Sequence, residues 1–227
     1  MSTYLVKCSR CEGENPLFQS VCLNCGSILR DRIPNIDFWK TIGQLIENPK
    51  KALIEVVQSE QKNFATFVLI VSLFKIFLFT SLVLGVISGS NFSIPLFGFY
   101  FATCLFLIIL TGYLIKFLVV GKSNKFRMKD FYASLAYSFV PQLMGLFILF
   151  TLEFIVFGEQ MFTFNPSPFL IKKNFAYLFL SLELGLIAWN LILTKISFSI
   201  YVNKTLLAYI LSTIIIGIIY FAAIFFL

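Results

Sequence analysis

The chain has 227 residues, 59% of them hydrophobic and only 13% charged, with 29 phenylalanines and a net charge of +7. Several apolar runs exceed the roughly 20 residues that carry a helix across ~30 Å of hydrocarbon, so an ordinary soluble domain is excluded. There is no histidine, which removes Ser-His-Asp and Cys-His nucleophilic centres, HExxH metal sites, His-ligated haem and histidine proton relays together.

The first element is the stretch KCSRCEGENPLFQSVCLNCG, residues 7–26. Cys8/Cys11 and Cys22/Cys25 form two CxxC pairs with ten residues between them. Each pair places two sulfurs on one tight turn, and two such turns supply the four soft ligands that tetrahedral Zn²⁺ prefers. Gly26 lets the backbone bend back towards the metal. A segment of about 30 residues is too small to fold on a hydrophobic core alone, and structural zinc is the expected staple. Two complete pairs leave no open coordination position, so the site reads as structural. Two disulfides are the alternative, and they need an oxidising compartment. Iron of the rubredoxin type uses the same ligands, but the ten-residue spacer is short for it.

Residues 36–61 are amphipathic. Phe38, Ile42, Leu45, Ile46, Leu53, Val56 and Val57 share one face, and Lys40, Gln44, Glu47, Lys50, Lys51, Glu55 and Gln58 the other. Asn48 is placed to cap a second helix that starts at Pro49. Trp39 and the lysines suit a headgroup surface, and packing on the membrane body is the competing reading.

The apolar runs predict five spans: about Phe64–Ile87, Leu96–Val120, a third ending near Phe157, Asn174–Thr194 and Leu206–Leu227. The third run starts at Phe131 and is longer than a bilayer needs, with Pro141 inside it. It is therefore expected to divide into an interfacial segment, about Lys129–Phe139, and a span. The fold class is all-α polytopic, with an N-terminal four-cysteine zinc ribbon (1–30), amphipathic linker helices (31–62) and a five-span body (63–227).

Charge placement orients the chain. Eight Lys/Arg precede the first span, four (Lys122, Lys125, Arg127, Lys129) separate spans two and three, and Lys195 and Lys204 separate spans four and five. The opposite side holds only Lys172 and Lys173. The positive-inside rule puts the cysteine head in the cytoplasm and the C-terminus outside, in what reads as a bacterial cytoplasmic membrane. A reducing cytoplasm keeps the thiols free for metal. The opening MSTYLVKCSRC has no apolar stretch of a secretory leader.

Three pieces carry a family resemblance: DFWKTIGQLIENPKKALIEV before the first span, KFRMKDFYASLAYSFVPQLMG with Tyr137, Ser138 and Pro141, and IAWNLILTKISFSIYVNKTLLAYI. From about Asp37 onward the chain resembles the YIP family, membrane proteins named for interaction with Ypt/Rab-type GTPases, and more closely prokaryotic members with an N-terminal zinc ribbon. The resemblance implies a non-enzymatic scaffold that organises membrane or other membrane proteins. It supplies no catalytic residues and, in a prokaryote, no Rab partner.

Within the spans, Lys75 lies about 17 Å along the first and Glu183 about 14 Å along the fourth from opposite ends, at 1.5 Å per residue. A Lys75–Glu183 pair is expected to tie the two spans together, with Asn190 extending a polar track. A small transporter, channel or lipid-moving protein built on that pair is the alternative function. The missing inverted repeat does not favour it. Glu153 is expected to be hydrated near the outer surface, Lys116 and Lys195 to snorkel inward, and Cys104 to be an inert buried residue. Ser81, Ser88 and Ser138 have no visible base, so a serine hydrolase is not expected. The basic loop 121–129, with Lys40, Lys50 and Lys51, is either the topology signal or a binder of anionic lipid. Expected partners are the bilayer and, through the head, membrane or cytoplasmic proteins; a homo-oligomer is left open. Lys7, Arg10, Arg30 and Arg32 make too thin a basic footprint for nucleic acid.

Overall fold

The computed structural model describes residues 5–16, 18–30, 36–88, 93–117, 127–163, 166–202 and 204–227. The loop positions Lys122 and Lys125, together with Arg32, lie outside the described residues. The chain divides into two compact units. Unit 1 comprises Met1–Thr66, Ile108–Ser138 and Leu193–Ser212; unit 2 comprises Phe67–Leu107, Phe139–Ile192 and Thr213–Leu227.

The head opens with β1 (Leu5–Lys7) paired antiparallel to β2 (Glu14–Pro16), Val6 opposite Asn15. An isolated bridge joins Val21 to Ile28. Helix α1 (Phe38–Glu47) is capped by Asp37, whose carboxylate accepts from the Lys40 N–H at 3.1 Å. Helix α2 (Pro49–Gln58) follows directly. Asn48 Oδ1 accepts from Lys51 N–H at 3.2 Å and Pro49 occupies the first turn, the arrangement the dipeptide predicts.

Among the described residues, five helices are long and apolar enough to cross a membrane. They are α3 (Ala65–Ser88), α4 (Ile94–Ile115), the composite segment Val140–Phe157, α10 (Lys173–Tyr201) and α11 (Thr205–Phe225). Helix α5 (Met128–Ser138) precedes the composite segment, and the chain breaks at Phe139. Pro141 has no N–H with which to continue the preceding helix. Short α6 (Val140–Met144) leads into a π-helical stretch, Gly145–Phe150, and then α7 (Thr151–Phe157). Two helical turns, α8 (Gln160–Thr163) and α9 (Pro168–Ile171), form the connection to α10.

In unit 1 the buried face of α2 (Ala52, Leu53, Val56, Val57) packs against α5. This decides between the two readings of the amphipathic segment as far as α2 is concerned. Trp39 on α1 stays 77% exposed, edge-on to Phe38, which also meets Phe64. Helix α10 runs seven residues beyond the expected end at Thr194. Lys195 does not stop it, because Phe198 and Tyr201 continue its apolar face onto Phe131 of α5. The Tyr-Ser-x-x-Pro residues have structural roles here. Tyr137 donates to Asn63 O at 2.7 Å, and the Ser138 hydroxyl lies 3.1 Å from that of Thr194.

Unit 2 has two apolar centres. Phe77, Phe97 and Tyr100 pack α3 on α4, with Phe77 and Tyr100 stacked at 5.2 Å. Leu149, Phe157, Met161, Ala176 and Phe179 form a second cluster. The connection between α7 and α10 thus contributes Met161 to the core.

Candidate metal centre and buried ion pair

The two CxxC turns fold as near copies. In the first, Cys8 N–H donates to Gly13 O (3.0 Å) and Glu12 N–H to Cys8 O (2.9 Å). In the second, Cys22 N–H donates to Ser27 O (2.8 Å) and Gly26 N–H to Cys22 O (3.0 Å). The residue after each second cysteine adopts positive φ, +69° at Gly26 and +56° at Glu12. Glycine takes that conformation freely; glutamate does so against a Cβ penalty.

These turns bring the four sulfurs within 4.8 Å of one another. Cys8–Cys25 and Cys11–Cys22 are each 3.6 Å apart, and all four thiols are free. A tetrahedron with metal–sulfur bonds of 2.3 Å has sulfur–sulfur edges of about 3.8 Å. The donor set and spacing therefore fit one metal ion with four thiolates and no vacant ligand position. Cys8 and Cys22 are buried, Cys11 and Cys25 half-buried.

Two residues that carried no sequence signal complete the centre. The Asn15 side chain is buried between the turns. Its Nδ2 donates to Gly13 O (2.8 Å) and faces Cys22 Sγ (3.4 Å), while its Oδ1 accepts from Leu23 N–H (2.8 Å). The Ser27 hydroxyl lies 3.0 Å from Cys8 Sγ and 3.1 Å from Cys25 Sγ. The Ser27 hydroxyl, helped by the Arg10 N–H, pulls the Cys8 thiol down to about 6, while Cys11 is pushed up to about 11, against its hydrogen bond from Gly13 N–H, by the facing Cys25 sulfur.

The head is fastened to helices of the same unit. Arg30 Nη2 donates to Phe18 O (2.6 Å) and to Gln58 O (2.9 Å), at the end of α2. The Arg127 guanidinium stacks 3.6 Å from the Phe18 ring centroid and forms a two-point pair with Asp130 (2.9 and 3.0 Å). Asp130, fully buried in the first turn of α5, also holds Lys62 at 3.0 Å. Lys62 in turn donates to Val57 O and Ser59 O, closing the C-terminus of α2. Arg127, expected only as part of a basic loop, is committed to Asp130 and Phe18.

In unit 2 the Lys75 ammonium donates to Glu183 Oε2, and the two residues are 2% and 1% exposed. Lys75 Nζ also sits 4.8 Å from the Phe79 ring centroid. Gly145 makes room for it: a Cβ there would lie 3.3 Å from Lys75 Cε and 2.6 Å from Leu186 Cδ1. Glu183 Oε1 and both polar atoms of buried Gln142 have no hydrogen-bond partner among the described residues. Asn190 is buried two turns beyond Glu183 on α10. The hydrated position expected for Glu153 is corrected: that side chain is only 8% exposed and lines an apolar cavity together with residues of α9 and α10. Cys104 is fully buried.

The chain matches no protein-family model, no curated protein and no solved structure.

Proposed function

We propose that the chain is a non-enzymatic integral membrane scaffold or adaptor of the YIP type, whose zinc-loaded head docks other proteins at the cytoplasmic face of a bacterial membrane. The observation that carries this reading is the fastening of a closed four-thiolate centre to the helices through Arg30, Arg127 and Phe18. A ligand set with no vacancy does no chemistry of its own; when bound, zinc supplies folding energy and shape. A head so small that is also clamped in place presents a fixed surface to a partner. The orientation rests on the Lys/Arg distribution.

The test is crosslinking and affinity purification from native membranes with the full chain and with residues 1–30 removed. Specific partners that depend on residues 1–30 support docking. An identical set of partners without the head contradicts it.

A second reading, a small transporter, channel or lipid-moving protein, is favoured by the buried Lys75–Glu183 pair and by the buried polar atoms of Gln142, which have no hydrogen-bond partner among the described residues. Solute or lipid flux in proteoliposomes that is lost in Glu183→Gln would place this reading first.

A further inference from the structure

Unit 2 holds an open-sided pocket of about 80 Å³ lined by residues of α3, α7, α8, α9 and α10. Four aromatic rings line it, Phe79, Phe157, Phe169 and Phe179, and Val83, 37% exposed, marks its mouth. A single charged side chain, Glu153, reaches the cavity wall. Glu153 is more than nine-tenths buried and makes no hydrogen bond or ion pair among the described residues. The nearby Lys75 ammonium is engaged by Glu183. The three groups lie within electrostatic reach of one another.

We infer that this cavity binds the ammonium head of a cationic amphiphile, with Glu153 as its counter-ion and the four phenylalanines as its wall. The lining selects that class. A carboxylate with no partner attracts a cation and repels phosphate or carboxylate heads. Aromatic faces attract an ammonium without demanding hydrogen bonds, so a quaternary nitrogen is accommodated as well as a primary one. The lining is otherwise apolar, and a metal ion or a strongly hydrated solute would find no oxygen ligands besides Glu153. The apolar lining at the open side, with Val83 exposed, suits an alkyl chain leaving the site along the membrane-facing surface. This site is separate from the docking role of the head and does not depend on it.

The experiment uses the full-length chain in neutral detergent, titrated with dodecyltrimethylammonium and followed by native mass spectrometry. Dodecanol and dodecanoate serve as the uncharged and anionic counterparts. One saturable dodecyltrimethylammonium per chain is expected, with both counterparts at least about tenfold weaker. Glu153→Gln should weaken the cation by a similar factor and leave dodecanol unchanged. Val83→Trp narrows the mouth without touching the charge and should also abolish saturable binding, which keeps the test decisive if Glu153→Gln does not fold. Equal binding of dodecanol, or wild-type affinity for the cation in either variant, overturns the inference; the carboxylate is then a protonated wall residue only.

Discussion

Replacing Lys75 by methionine keeps the length of the side chain but leaves Glu183, 1% exposed, without its ammonium. Breaking a buried pair from one side costs about 3–5 kcal/mol, because the survivor stays desolvated and uncompensated. Glu183→Gln removes the other partner, yet Lys75 then still has Glu153 within electrostatic reach and the Phe79 face at 4.8 Å. Lys75→Met should therefore be the worse of the two, near the upper end of that range and Glu183→Gln near the lower. The double variant leaves no unpaired member of the pair and should lie within about 2 kcal/mol of wild type. The resulting coupling energy, about 4 kcal/mol or more, is above the usual range for exposed ion pairs. The assay is a double-mutant cycle: reversible unfolding in mixed micelles, with membrane abundance as a second readout. If both single variants are as stable and abundant as wild type, or if their costs simply add, the pair does not hold α3 to α10.

Three further substitutions probe the head and its attachment. Glu12→Gly relieves the positive φ at a position where the second CxxC turn already uses glycine; the head should gain about 0.5–1 kcal/mol, read as slower metal loss to a chelator. Asn48→Ala removes the side-chain cap of α2 and should cost about 1 kcal/mol in thermal unfolding. Arg127→Ala deletes both the stack on Phe18 and the two-point pair with Asp130. Trypsin should then cut at Arg30 several-fold faster, on the order of 1 kcal/mol in local opening, while the metal stays bound.

The sequence shows some of this directly, and the physical reason differs by element. The spans are legible because hydrocarbon demands long unbroken apolar helices, and the CxxC pairs because metal geometry demands that spacing. Asn48-Pro49 is legible because capping is local. Asn15 and Ser27 carry no pattern: their roles depend on the two turns being brought face to face. Asp130, one residue past the basic loop 121–129, carries no pattern either, and only the packing of α2 on α5 buries it between Lys62 and Arg127. The overrun of α10 past Lys195 is illegible for a related reason. Hydropathy marks where lipid ends, whereas Phe198 and Tyr201 are buried by protein. Glu153 misleads in the same way, since its distance along a helix does not reveal that it will line a pocket shared with α9 and α10.

The most direct test of the account is the metal content of the purified full-length chain, measured by elemental analysis beside a thiol count. One zinc per chain, absent in Cys22→Ser and in Cys11→Ser alike, is the predicted result. A metal-free chain that still folds, with its cysteines joined in disulfides, would contradict it.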